Sequence, residues 1–126
     1  MIALTEDKRM LGYGVMTPYS NIFCFATTRR GGFSKGDYAS FNCTPYTGDD
    51  AESVRRNQEL LCNSMPQHPK ELVIPFQTHG TKVEVIDEKY LNATSDERTA
   101  MLQGVDALIT KEPVSYTHLR AHETEL

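Results

Sequence analysis

The sequence predicts an α/β fold. Three observations carry that expectation: short apolar runs of strand length, one well-punctuated helical segment among them, and a long stretch too rich in turn residues to be either. Ile22-Phe23-Cys24-Phe25-Ala26 is continuously apolar and rich in strand formers, as a strand covered on both faces would be. It runs into Thr27-Thr28-Arg29-Arg30-Gly31-Gly32. From Gly31 to Gly48 the chain carries Gly, Ser, Asp, Asn and Pro throughout, so irregular backbone is expected, and loops of that length tend to be functional. A helix should start at Gly48-Asp49-Asp50-Ala51-Glu52, with Asp49 as N-cap and Glu52 three residues on in the manner of a capping box. Val54, Leu61 and Ala51 would line its buried face, and it should end by Asn63 or Ser64, ahead of Pro66. Leu72-Val73-Ile74-Pro75-Phe76 is the next expected strand, with Pro75 implying an edge or a bulge. Lys82-Val83-Glu84-Val85 alternates as a half-buried strand does, and Val105 to Thr110 completes the set.

The chain has 126 residues, 13 basic and 17 acidic side chains and a net charge of −4. Its basic residues are scattered, which excludes the electrostatic footprint of a nucleic-acid binder. No apolar run approaches the length of a membrane span and the first residues lack a secretory signal, so a soluble cytoplasmic protein is expected. The three cysteines, Cys24, Cys43 and Cys62, lack zinc-knuckle pairing and the density of a disulfide scaffold; each reads as an apolar filler or a surface thiol. Asn42-Cys43-Thr44 and Asn92-Ala93-Thr94 match the glycosylation pattern, which carries no meaning without a secretory route.

Gly31 to Gly36 spaces its glycines like a phosphate loop, but Asp37-Tyr38 stands where Lys and Ser or Thr are required, which rejects a P-loop. Gly12-Tyr13-Gly14 lacks the third glycine of a dinucleotide fingerprint and a preceding strand. Gln77-Thr78-His79-Gly80 stands apart: an imidazole at the end of an apolar strand, followed by a glycine that permits a sharp turn and leaves room beside the ring. His68, between Gln67 and Pro69, reads as a surface residue.

Several segments in order resemble one family. They are Thr28-Arg29-Arg30-Gly31-Gly32, Tyr38-Ala39-Ser40-Phe41-Asn42, Gly48-Asp49-Asp50 with Val54 and Asn57 on the helix, Gln77-Thr78-His79-Gly80-Thr81-Lys82-Val83, and Asp106-Ala107-Leu108-Ile109-Thr110. Together, over about residues 20 to 113, they resemble the laccase-domain family, also called purine nucleoside phosphorylase-like, which includes the peptidoglycan-editing factor of bacteria. Where that family commonly has Asn-Leu-Gly, this chain has Asn42-Cys43-Thr44. The resemblance implies a single α/β domain with a mixed sheet and helices packed on both sides, of which this chain would hold the N-terminal half. It also implies a zinc site of one His, one Cys and a second His, with His79 as the first ligand and the other two beyond Thr110. Cys24, Cys43 and Cys62 precede His79 and do not match the family's cysteine motif.

The activity so implied is zinc-dependent purine nucleoside phosphorolysis, with adenosine deamination and methylthioadenosine cleavage. Purine nucleosides and phosphate would be the partners. Zinc-bound hydroxide attacking the amino-bearing purine carbon is sound chemistry for deamination. For phosphorolysis, Arg29 could clamp phosphate through its planar fork, or pin its loop by a salt bridge. Asn42 could hydrogen-bond ribose or hold its own turn. The alternatives are a copper-dependent polyphenol oxidase, which a single His-Cys-His set supplies poorly, and a non-enzymatic protein that edits peptidoglycan by binding.

Val114 to Thr124 resembles one reading frame of a transposase adapter used in preparing sequencing libraries. The natural sequence is therefore expected to stop near Pro113, and residues 114–126 to be an appended tail with few tertiary contacts. The four-residue spacing of His118 and His122 is then an accident of the reagent, and the fragment should be inactive.

Overall fold

The computed structural model of the chain describes residues 1–16, 18–19, 23–66, 68–69 and 71–111, and the backbone of 115–117. It divides into two units, Met1–Leu61 and Cys62–Leu126.

In the first unit, β1 (Ile2–Ala3), β2 (Met10–Gly12) and β3 (Phe25–Thr27) form an antiparallel sheet in that order. The turn between β1 and β2 is tied by Asp7, whose carboxylate accepts from the Thr5 hydroxyl at 2.7 Å and the Arg9 N–H at 3.0 Å. Thus a strand does precede Gly12-Tyr13-Gly14, contrary to the sequence expectation. It is a three-residue antiparallel strand, however, and a short 3-10 turn over Gly14–Met16 follows it rather than a phosphate-binding helix. β3 begins later than its apolar run suggests, and Phe23 and Cys24 are exposed. β3 itself is half-buried along its length, not covered on both faces as its apolar run suggests. From Thr28 to Asp50 the backbone is irregular apart from a single 3-10 turn over Gly36–Tyr38, as the turn-rich composition anticipates.

The helix α1 (Ala51–Asn63) contains good helix formers and turns Val54, Asn57 and Leu61 inward at helical spacing. Ala51 is exposed. Its N-cap is Asp50, whose carboxylate accepts the Ser53 N–H at 3.0 Å, one residue later than the sequence suggested. Glu52 makes no capping box: it pairs with Arg55 at 2.6 Å, and Arg55 also reaches Glu59 at 2.9 Å, both on the exposed side.

Among the described residues the second unit holds two parallel strand pairs. β4 (Glu71–Val73) pairs with β7 (Ser115–Thr117), and β5 (Val83–Ile86) pairs with β6 (Ala107–Thr110). The expected strand 72–76 stops at Val73 because Pro75 has no N–H to give a ladder. Phe76 then makes a separate parallel bridge to Gln103, donating to the Leu102 carbonyl at 3.0 Å and accepting from Gly104 at 2.9 Å. Two short helices follow β5: α2 (Glu88–Leu91), capped by Asp87, and α3 (Ser95–Met101), opened by Thr94. Val73, Ile86, Tyr90 and Leu102 form the buried cluster, with Leu91, Met101 and Leu108 packed against it. Arg98 ties α3 to α2, donating to the carbonyls of Tyr90 at 3.1 Å and Leu91 at 2.6 Å while its guanidinium stacks over the Tyr90 ring.

Parallel and antiparallel pairing occur together with helices, so the architecture is mixed α/β, the class the sequence predicts. Residues 115–117 of the expected tail pair with β4, a contact the appended-tail reading did not foresee. The side chains of Tyr116 and Leu119, and His118 and His122, lie outside the described residues.

Candidate functional site

Arg29 and Asn42 belong to one hydrogen-bonded loop system in the first unit. The Arg29 carbonyl collects three donors: the backbone N–H groups of Ser40 at 2.6 Å and Phe41 at 3.1 Å, and the Ser40 hydroxyl at 2.9 Å. Its side chain is exposed, and its Nε donates to the Ala39 carbonyl at 3.2 Å. Among the described residues Arg29 makes no ion pair; what pins it is a carbonyl. One edge of the guanidinium is thereby fixed, while its two terminal nitrogens hold no hydrogen bond among the described residues. That combination suits a planar fork to an anion's oxygens.

Asn42 is committed differently. Its amide nitrogen donates to the Thr47 hydroxyl at 2.9 Å and to Asp49 at 3.2 Å, and its amide oxygen accepts the Thr44 N–H at 3.3 Å. The side chain holds its own turn, and a ribose contact would have to share the oxygen's second lone pair.

Behind both residues stands Asn57 of α1, which has no exposed surface. Its amide nitrogen donates to the Asn42 carbonyl at 2.7 Å, the Ser34 hydroxyl at 2.9 Å and the Ser40 carbonyl at 3.3 Å. Its oxygen accepts the Phe33 N–H at 2.7 Å. The Ser34 hydroxyl in turn donates to the Asp49 carboxylate at 2.5 Å. This hydroxyl, against some desolvation and with help from Asn42 and the Asp50 N–H, holds the Asp49 carboxyl below its usual range. Gly32 is required where the strands of this loop cross. A Cβ there would run into the Ser40 carbonyl oxygen and Phe41, both backbone, so neither can swing aside.

His79 belongs to the second unit. It is exposed and lies past the end of β4, in a turn rather than at the strand's end. The positive φ of this turn, 63°, falls on His79 itself. Gly80 contributes space instead: a Cβ there would sit 3.1 Å from an Asp106 carboxylate oxygen. Asp106 accepts the N–H groups of Thr78 at 3.2 Å, His79 at 3.0 Å and Gly80 at 2.7 Å. The sequence shows Asp106 at the head of an apolar run but gives no sign of this role, because its partners lie 26 to 28 positions away.

Among the described residues no three of His, Cys, Asp and Glu are grouped to hold a metal ion. Both Asp106 oxygens already serve backbone amides, so the turn offers the His79 imidazole as its only candidate zinc donor among the described residues. These residues alone do not fit a zinc centre, which needs three or four ligands fixed together, and no catalytic step at zinc follows from them. Of the cysteines, Cys24 is exposed, Cys43 buried and Cys62 half-buried, and burial pushes the Cys62 thiol up. His68 is exposed, and among the described residues no helix is long and apolar enough to cross a membrane.

Comparison with known proteins adds the following. Residues 23–120 match the profile described as multi-copper polyphenol oxidoreductase laccase. The chain is 63% identical over 113 residues to a purine nucleoside phosphorylase of Bacteroides thetaiotaomicron, covering 90% of this chain and 42% of the relative. It is 39% identical over 87 residues to adenosine deaminase RL5 of an unknown prokaryotic organism, covering 69% of this chain and 33% of that protein. Among solved structures, YlmD of Geobacillus stearothermophilus aligns with a TM-score of 0.59 and 28% identity over 72% of this chain and 34% of that one. The chain thus spans less than half the length of each of these relatives.

Proposed function

The chain belongs to the multi-copper polyphenol oxidoreductase laccase family, and from that premise we propose that it contributes to a purine-nucleoside-processing enzyme that splits nucleosides with phosphate. The observation that carries this reading is the 63% identity over 113 residues to the Bacteroides purine nucleoside phosphorylase. Deamination of adenosine is the companion activity, supported by the resemblance to adenosine deaminase RL5, and methylthioadenosine is a further candidate substrate.

In this proposal Arg29 binds phosphate. Its Nε is held on the Ala39 carbonyl, so the guanidinium plane is oriented before the anion arrives and little side-chain freedom is left to lose. Asn42 shapes the loop beside it and can lend its amide oxygen to a ribose hydroxyl. His79 supplies one imidazole to a zinc site whose remaining ligands are not among the described residues. Copper is the alternative metal, in keeping with the family's description, and a peptidoglycan-editing role by binding alone is the non-enzymatic alternative.

The test is a chimera in which the matched part of this chain replaces the corresponding part of the Bacteroides relative. The expected result is consumption of inosine and adenosine with phosphate, abolished by a chelator and by His79→Ala and little changed by His68→Ala. The 126-residue chain on its own should be inactive, because the described residues bring only the His79 imidazole to the site, and a single imidazole does not hold zinc usefully against water. A folded chimera without nucleoside activity, or phosphorolysis by the chain alone, would overturn the reading; oxidation of phenols with copper would replace it.

A further inference from the structure

We infer that Asp106 is a positioning residue: by taking three consecutive backbone N–H groups, it holds His79 in its left-handed conformation and so sets the direction in which the imidazole is presented. The inference rests on His79 being the chemical centre of the function proposed above, and it names the group that fixes that centre's geometry.

One Asp106 oxygen accepts from Thr78 at 3.2 Å and His79 at 3.0 Å, and the other accepts from Gly80 at 2.7 Å. Three amides converging on one carboxylate are charge-assisted bonds, stronger than amide bonds to a neutral acceptor. They are also directional: all three N–H groups can point to one centre only if the chain between them curls, and the curl places His79 at φ 63°. A non-glycine residue persists in that region when its surroundings over-determine it, and such residues concentrate at working sites.

The rest of the turn is fastened to the same residue. Gln77 donates from Nε2 to the Asp106 carbonyl at 3.3 Å, ahead of His79, and the Asp106 N–H donates to the Lys82 carbonyl at 3.0 Å, after it. Residues 77 to 82 therefore wrap around Asp106, and β5 and β6 continue in parallel register from Val83 and Ala107. Gly80 belongs to the same device. A Cβ there would sit 3.1 Å from the carboxylate oxygen, tighter than an ordinary contact, so a larger residue would push the acceptor away from the amide it serves. The polar backbone of an exposed turn could be satisfied by water alone; here a carboxylate has been spent on it, and the residue it constrains most is the histidine.

The experiment uses the 126-residue chain and nuclear magnetic resonance. In the unaltered chain the backbone couplings of His79 (HN–Hα and one-bond Cα–Hα) should report a single left-handed conformation, and the amide protons of residues 78 to 80 should exchange slowly for so exposed a turn. Asp106→Ala should speed their exchange about tenfold and bring the His79 couplings to averaged values. Asp106→Asn, which keeps one accepting oxygen, should fall between. If Asp106→Ala fails to fold, Gly80→Ala gives the same reading, since it leaves the carboxylate in place but forces it from the Gly80 N–H. Averaged His79 couplings in the unaltered chain overturn the inference. So do couplings that stay fixed in Asp106→Ala while the amides are released, which would leave Asp106 as a structural cap. Full activity of a His79→Ala chimera would sink the functional reading alone and leave the turn geometry standing.

Discussion

Asn57 shows how much of the first unit depends on one amide. It is fully buried and bonded to Phe33, Ser34, Ser40 and Asn42, so it joins both ends of the loop that carries the Arg29 system to the face of α1. Replacing it with alanine takes the partner from the Phe33 N–H and from the Asn42 carbonyl in a place water reaches poorly, while the Ser40 carbonyl keeps the Ser34 N–H. A buried polar group so orphaned costs about 1–3 kcal/mol, and several together set the expected loss for Asn57→Ala at about 2–4 kcal/mol. Urea unfolding of the two chains gives the number directly, and a difference below about 0.5 kcal/mol, the level of a neutral surface change, would show that the network is carried by other contacts. Asn57→Asp preserves size and the accepting oxygen but loses the donors, and should be nearly as costly.

Among the elements, α3 offers the cleanest test of local physics. Thr94 accepts the Glu97 N–H at 3.2 Å, and Glu97 accepts the Thr94 N–H at 3.0 Å, so two amide groups at the start of the helix are satisfied reciprocally. These hydrogen bonds hold the Glu97 carboxyl below its usual range. Thr94→Ala should cost about 1 kcal/mol, read as a lower melting temperature, and an unchanged one would mean that Arg98's bonds to Tyr90 and Leu91 hold the helix by themselves. The signature Thr94-x-x-Glu97 stood in the sequence, yet it introduces only seven residues with no buried side chain, so no periodic apolar face marked the helix. The opposite case is α1: Val54, Asn57 and Leu61 repeat at helical spacing, and its C-terminal boundary was legible to within one residue. Its cap was not, because Asp49 and Asp50 are equally good capping residues and tertiary partners decided between them: Ser34 and Asn42 claim Asp49. The same limit applies to the candidate site. His79 could be singled out from local sequence and Arg29 through the family resemblance, whereas the roles of Asn57 and Asp106 depend on partners fifteen or more positions away. The strands β1 and β2, of two and three residues, are too short for any alternation to register.

Across the whole molecule the strand pair β5–β6 presents two unlike faces. Ile86 is fully buried and packs with Leu108 in the core of the second unit. On the other face, Val85 stands in register with Ile109, and Val83 with Ala107, and the three larger side chains remain 54%, 59% and 57% exposed for Val85, Val83 and Ile109. Alternation along each strand makes these neighbours on one surface, so the exposure is a contiguous apolar stripe rather than scattered residues of the kind any surface has. Such a stripe binds apolar dyes and promotes self-association without contributing to the core. The chain should therefore bind anilinonaphthalene sulfonate while folded, and sediment as a concentration-dependent mixture. Val85→Thr combined with Ile109→Thr should reduce both, since threonine keeps the β-branched shape that strands favour while ending the apolar continuity. Because these positions lie outside the core, the change in stability should stay within about 0.5 kcal/mol. A loss of several kcal/mol from the double substitution would show instead that the stripe is covered in solution and belongs to the chain's own packing.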